Sequence, residues 1–236
     1  MNPDIVILSH HKCATNWLRA ICRQLQSLGV ANFEVVGGSD RMTERHQGKN
    51  PRILLNVNAS KSAHAIFLND KSKNIHFVRD PRDAFISTYY SWRYSHKQNS
   101  AELLAFRKSA EAKTIEEGLL DLVELFPMGR QLSTWTSDMF GNVTSIRYES
   151  LLNNFDDTFH YMFDSAGIDF SREIVRTVNS STDFKSLSGG RQQGDEDINS
   201  HFRKGKAGDW KEHFTPKVSS AFFERYDWMG EKLGYW

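Results

Sequence analysis

Three short stretches of this 236-residue chain combine cations with hydroxyls or glycines in a pattern suited to holding anionic groups. The first is SHHKCATNWL, residues 9–18, which lies between an apolar run and a segment of helical periodicity. A loop feeding a helix N-terminus offers unpaired N–H groups and the positive end of the helix dipole, a setting for phosphate. Lys12 adds a point charge, and Thr15 and Asn16 add side-chain donors. The second is FVRDPRDAFISTYYSW, residues 77–92, where Arg79 closes a strand-like run and Ser87 follows eight residues later. A guanidinium at the carboxyl end of a strand suits bidentate anion binding. The competing reading is simple ion pairing, Arg79 with Asp83 or Arg82 with Asp80. The third is HFRKGKAGDWKEHFT, residues 201–215, where Arg203, Lys204 and Lys206 surround Gly205 and the backbone can approach an anion closely. Each stretch alone also reads as a solvated loop. Together they suit a ligand with two separated phosphate-like groups.

The elements that must position these loops alternate between strand and helix. Residues 4–9 read as a buried strand and 15–28 as a helix with Trp17, Leu18, Ile21, Leu25 and Leu28 on one stripe, closed by Gly29. Residues 33–36, 52–57, 74–78 and 142–147 read as further strands. Residues 60–69 read as a short helix, and a longer one starts at Pro81, capped by Asp80, and runs to about 96. Residues 100–140 read as helical with a break near Pro127, a long helix follows 147 to about 166, and a last helix spans 216–233. The alternation predicts an α/β fold, a three-layer sandwich whose mainly parallel central sheet is flanked by helices. Ligands in such folds sit at the carboxyl ends of the strands. Residues 186–209 differ, with five glycines in 24 residues and few apolar side chains, and read as a mobile loop covering the ligand. No repeat or composition break divides the chain, so 1–236 reads as one domain.

Composition narrows the function classes. Charged residues are 25% and hydrophobic residues 39%, which excludes a disordered polyampholyte. No uninterrupted apolar run exceeds four residues, as at 5–8, far short of the ~20 a membrane helix needs. The first residues, MNPDIVILSHHK, lack the basic and apolar regions of a signal peptide. A net charge of +1 argues against nucleic acid or anionic membranes as partners and leaves room for a small anionic ligand. Two cysteines, Cys13 and Cys22, make neither a disulfide framework nor a zinc site, which fits a reducing, cytoplasmic setting. No metal-ligand cluster stands out. The 12% of aromatic residues serves either core packing or an aromatic acceptor pocket.

On the residues quoted, the chain resembles a sulfotransferase of the cytosolic type. That family has a P-loop-like fold and uses 3′-phosphoadenosine 5′-phosphosulfate (PAPS), releasing the 3′,5′-bisphosphate (PAP). Its first loop reads P-K-S-G-T-T-W around the 5′-phosphosulfate, and Lys12, Cys13, Ala14, Thr15, Asn16 and Trp17 stand at the last six places. Its next signature, an Arg and a Ser eight apart on the 3′-phosphate, is matched by Arg79 and Ser87. Its R-K-G-x-x-G-D-W is matched throughout by Arg203, Lys204, Gly205, Gly208, Asp209 and Trp210. Tyr148-Glu149 resembles a Tyr-Glu-Asp whose Tyr approaches adenine, and Thr182 and Phe184 resemble a Thr and Phe flanking the purine. The resemblance implies no metal. It implies a sulfotransferase moving the sulfuryl group of PAPS to a hydroxyl or amine of a small acceptor, with Lys12 on the leaving oxygen.

The departures are as informative. His11 replaces the Pro and Ala14 the Gly of the first loop. The family's catalytic His falls, by counting back from Arg79, on Val57. Three other residues are candidates for the base: His11 beside Lys12, then Glu34 on the strand after the first helix, then His64, seven residues beyond Val57. The family's dimer motif K-x-x-x-T-V-x-x-x-E keeps Lys211 and Thr215 but has Pro216 and Ser220 in place of Val and Glu, leaving the oligomeric state open. Two rival readings remain: a P-loop nucleotide kinase, against which the missing G-x-x-x-x-G-K-[ST] glycines speak, and a non-catalytic module for a 3′,5′-bisphosphate.

Overall fold

The computed structural model describes residues 4–36, 48–57, 72–97, 100–125 and 143–236. In chain order its elements are β1 (Asp4–Ser9), α1 (Thr15–Ser27), β2 (Asn32–Val36), β3 (Arg52–Val57), β4 (Lys73–Val78), α2 (Pro81–Tyr90), α3 (Ala101–Glu111), α4 (Ile115–Leu125), β5 (Val143–Arg147), α5 (Tyr148–Asn153), α6 (Phe155–Asp164), α7 (Arg172–Thr182), α8 (Phe184–Leu187) and α9 (Pro216–Leu233). The strands form one sheet in the order β2-β3-β1-β4-β5, and every pairing is parallel. The chain winds outward from β1 to β2, returns through β3, then crosses β1 to β4 and β5. The connections after β1 and β4 therefore leave in opposite directions. That reversal opens a crevice at the carboxyl ends of the two strands, where two of the three cationic loops lie.

The strand sequences are apolar because the sheet is covered. Ile5, Ile7, Ile53, Leu55, Ile75 and Phe77 share one face by register, and all are buried. The α1 stripe, Leu18, Ile21, Cys22 and Leu25, packs into the same core, with Phe159, Met162 and Phe163 of α6 and Val175 and Val178 of α7. A second core joins α2, α4 and α9, with Phe85 and Phe222 in edge contact, their ring centroids 5.3 Å apart. These two cores hold the loop bases rigidly.

The boundaries differ from expectation at three places, each for a local reason. The helical stretch after 100 breaks at 112–114, where Thr114 and Glu117 form a reciprocal cap: Thr114 N donates to Glu117 Oε2 at 2.9 Å and Glu117 N to Thr114 Oγ1 at 3.3 Å. The expected long helix to 166 is two helices, because Asn154 leaves helical geometry with φ −143 and turns its side chain onto Asp157. The helix from Pro81 is α-helical only to Tyr90, and Ser91–Ser95 continues it as a π-helical turn. The expected helix at 60–69 and the break near Pro127 lie outside the described residues.

Candidate active site

The loop after β1 is shaped by backbone handedness. Cys13 N bonds His10 O at 3.1 Å, while Lys12 and Ala14 hold left-handed φ values of 61 and 56. Changes of handedness along a turn curl successive N–H groups toward one point, which makes an anion cradle. Ser9 Oγ braces the loop, donating to Cys13 O at 2.9 Å and meeting Thr15 Oγ1 at 2.9 Å. The Cys13 thiol lies beneath the loop, and burial pushes its pKa up to about 12. Ala14 stands in a conformation that costs an L-residue ~1–2 kcal/mol, which accounts for the glycine in the resembling motif.

Arg79 leaves β4 with its side chain 11% exposed, and Nη1 donates to Lys12 O at 3.3 Å. Its guanidinium lies 4.6 Å from the centre of the Tyr148 ring, and Nε is buried without a hydrogen-bond partner among the described residues. Of the two competing ion pairs, Arg82 forks onto Asp80, with Nη2 2.7 Å from Oδ2, and Asp80 caps α2 at Arg82 N. Arg79 and Asp83 stand farther apart, at 3.9 Å. Asp83 instead accepts from Gly208 N at 2.7 Å and Trp210 N at 3.0 Å, while Arg82 covers the Trp210 ring at 4.0 Å. The run from Arg79 to Asp83 thus turns one side chain to the cavity and uses the others to fasten the third loop to α2.

That third loop is braced from within. Arg191 donates to the carbonyls of Asp195, Phe202 and Arg203, and Gly194 N bonds Lys204 O at 2.8 Å. Gly205 has φ 66, and a side chain there would run into the Phe184 ring. Asp209 pairs with both Arg203 and Lys204. Burial alone would raise its pKa, but His213, Lys204 and Arg203 outweigh burial and hold it well below the usual carboxylate range. Arg203 also pairs with Glu196 and lies over the Tyr90 ring at 4.2 Å.

The three loops enclose a cavity of about 410 Å³. Of the residues matched to the nucleotide-binding motifs, Lys12, Ala14, Thr15, Asn16, Trp17, Arg79, Ser87, Tyr148, Thr182, Phe184, Arg203, Lys204 and Gly205 all line it. Cys13 is the exception, being turned under the loop. The Lys12 ammonium is deep enough that burial, then Arg79, then Arg203, bring its pKa down to about 8. His11 and Val57 line the cavity. Glu34 does not: it is exposed on β2, two strands from β1, and is corrected as a base candidate on that ground. His64 lies outside the described residues. Ser91, His96, Asn179, Gln193 and His201 also face the cavity. Ser91 and His201 lie within the second and third cationic stretches and Gln193 within 186–209, but at none of the family's matched positions, so sequence reasoning gave none of the five a role.

The chain matches the family described as Sulfotransferase domain over residues 2–236. Mouse sulfotransferase 2A6 is 24% identical across 94% of this chain and 82% of its own length. Human sulfotransferase 2A1 is 23% identical across 94% and 82%, and mouse sulfotransferase 6B1 is 24% identical across 99% and 80%. Among solved structures, mouse sulfotransferase SULT7A1 complexed with PAP superposes with a TM-score of 0.61 at 19% identity, over 98% of this chain and 84% of that one. Retinol dehydratase complexed with androsterone and PAP gives 0.61 at 14% identity, over 98% and 80%. The chain belongs to the sulfotransferase family, and its fold is the family's. Among the described residues no helix is long and apolar enough to cross a membrane.

The strained loop yields a stability prediction. Ala14→Gly removes the left-handed penalty and adds glycine's unfolded-state entropy, for a net gain of about 0.5–1 kcal/mol. Urea unfolding of the two proteins measures it, and a destabilised Gly variant contradicts the loop geometry.

Proposed function

We propose that the cavity binds PAPS and that the enzyme transfers its sulfuryl group to a hydroxyl or amine of a small acceptor. The carrying observation is the convergence of Lys12, Arg79 and Arg203 on one cavity, with Thr182 and Phe184 beside it. Lys12 and the N-terminus of α1, with Thr15 and Asn16, hold the 5′-phosphosulfate. Arg79, Ser87 and Arg203 hold the 3′-phosphate, and Tyr148, Thr182 and Phe184 flank the purine. Sulfuryl transfer asks for alignment of the acceptor oxygen and neutralisation of the leaving phosphate oxygen. Lys12 supplies the second. The relative holding androsterone supports a small-molecule acceptor, and two buried free cysteines fit a cytoplasmic setting. Incubation with labelled PAPS or labelled ATP and a panel of alcohols, phenols and amines tests the reading. Sulfuryl transfer supports it, phosphoryl transfer favours the kinase, and tight PAP binding with no transfer favours the binding module.

Arg79→Ala removes a charged anchor worth about 1.5–3 kcal/mol. PAP binding then weakens about tenfold to a hundredfold, and the preference for PAPS over adenosine 5′-phosphosulfate narrows. Titration of both nucleotides checks this, and undiminished discrimination contradicts it.

Lys12→Ala lowers turnover far more than PAP affinity, because charge on the leaving oxygen develops mainly in the transition state. The ammonium also sets a pH dependence. Its pKa in the empty site is about 8, and a bound anion raises it. The charged contribution to PAP binding is therefore full below about 8 and is lost as pH rises through the pKa of the complex. Binding measured from pH 7 to 10 declines for the wild type and stays flatter for Lys12→Ala. Parallel curves contradict the assignment.

Residues 189–209 act as a lid that orders over the nucleotide and excludes water. All five glycines of this stretch have positive φ, from 66 at Gly205 to 102 at Gly194, so its shape rests on backbone rather than on an apolar core. Hydrogen exchange in this stretch slows when PAP is added, and equal exchange with and without PAP refutes the lid.

A further inference from the structure

A neutral acceptor must lose a proton as its oxygen attacks sulfur, and Val57 cannot take one. The π-helical turn after α2 brings a better group to the cavity. Its closing bond runs from His96 N to Ser91 O at 2.7 Å, and both residues line the cavity. π-helical turns are rare and are frequently found at functional sites; this one closes the helix, with His96 already extended. Here the turn is clamped from α3: Arg107 donates through Nε to Trp92 O and through Nη2 to His96 O, each at 2.9 Å. The His96 ring is oriented as well. Nδ1 lies 2.9 Å from Lys97 O, and a carbonyl only accepts, so Nδ1 carries the proton. In the neutral ring Nε2 then holds the lone pair, the form a general base needs. The Ser91 hydroxyl, one turn earlier, is buried and without a hydrogen-bond partner among the described residues.

We infer that His96 is the general base of this sulfotransferase, set by the π turn beside the sulfuryl group. The assignment rests on the function proposed above. His96 Nε2 takes the proton of the acceptor hydroxyl while the acceptor oxygen forms its bond to sulfur. The bond between sulfur and the 5′-phosphate oxygen breaks, and that oxygen leaves with the electron pair beside Lys12. The imidazolium then gives its proton to water. Among the described residues the groups near His96 are cations or imidazoles: His11, with ring centroids 6.4 Å apart, from the loop after β1; His201 from the lid; Lys97 next in sequence; and Arg107 from α3, bonded to the His96 carbonyl. Burial, then Lys12, His96 and Lys97, lower the pKa of His201, which marks the four as sharing one mouth. His11 is the weaker candidate because its Nε2 is buried in the protein.

The test compares His96→Asn, His11→Ala and His201→Ala with labelled PAPS and two acceptors, phenol and a nitrophenol that ionises near neutrality. Asn retains a donor for Lys97 O but offers no base. His96→Asn is expected to lower kcat with phenol by about a hundredfold to a thousandfold and to abolish the acidic limb of the pH–rate profile. With the ionised nitrophenol the loss is less than about tenfold, since no proton need be taken, and PAP affinity stays within about twofold. The other two variants keep the acidic limb. Retention of that limb by His96→Asn, or its loss in His11→Ala or His201→Ala instead, overturns the assignment. A wild-type protein that neither binds PAP nor labels either phenol fails the proposed function itself, and the base with it.

Discussion

The site is built around positive charges held within each other's fields. Lys12, Arg79 and Arg203 converge on one partly enclosed cavity, and their mutual repulsion, added to burial, draws the Lys12 pKa down to about 8. Such a cluster is unfavourable unless the surrounding structure compensates. The compensation is applied from behind. Arg79 rests on a carbonyl and the Tyr148 ring, and Arg203 rests on Asp209 and the Tyr90 ring. Arg79 is thereby oriented with only a distant carboxylate, Asp83 at 3.9 Å, whereas Arg203 is held by Asp209 and Glu196. An anion entering the cavity converts repulsion into attraction, and that gain is the source of its affinity.

The same constraint explains why the fasteners lie where they do. Asp80, Arg82 and Asp83 follow Arg79 directly, and each is spent on structure: a helix cap, an ion pair with a stacked tryptophan, and two bonds to the amides of Gly208 and Trp210. The C-terminus joins the arrangement, since Glu149 accepts from Asp80 N at 2.9 Å and from the Tyr235 hydroxyl at 2.8 Å. Strand end, helix start, the segment at 208–210 and the C-terminus are thereby one hydrogen-bonded unit.

What the sequence made legible was whatever repeats a local rule. Strand and helix alternation gave the parallel sheet, because buried strands must be apolar and helices must be striped. Three loop motifs pointed to residues that line one cavity, because anion binding needs particular residue types at fixed spacing. Glu34 misled because its place depends on strand order, and β2 proved to be the edge strand beyond β3. His96 was invisible for a related reason. An ordinary helix through that stretch gives no hint of a π turn, and the turn depends on Arg107, eleven residues away and on another helix. The break at 112–114 was readable in principle, since Thr114 and Glu117 form the T-x-x-E of a capping box.

Three loops converging on one cavity suit the two phosphate ends of a single nucleotide. A crystal structure of the protein with PAP is the decisive test. The 5′-phosphate is expected on the N–H groups of residues 12–17 with Lys12 beside it. The 3′-phosphate is expected on Arg79, Ser87 and Arg203, and the purine between Thr182 and Phe184. A 3′-phosphate pointing to solvent, or a nucleotide bound away from the loop after β1, would contradict it.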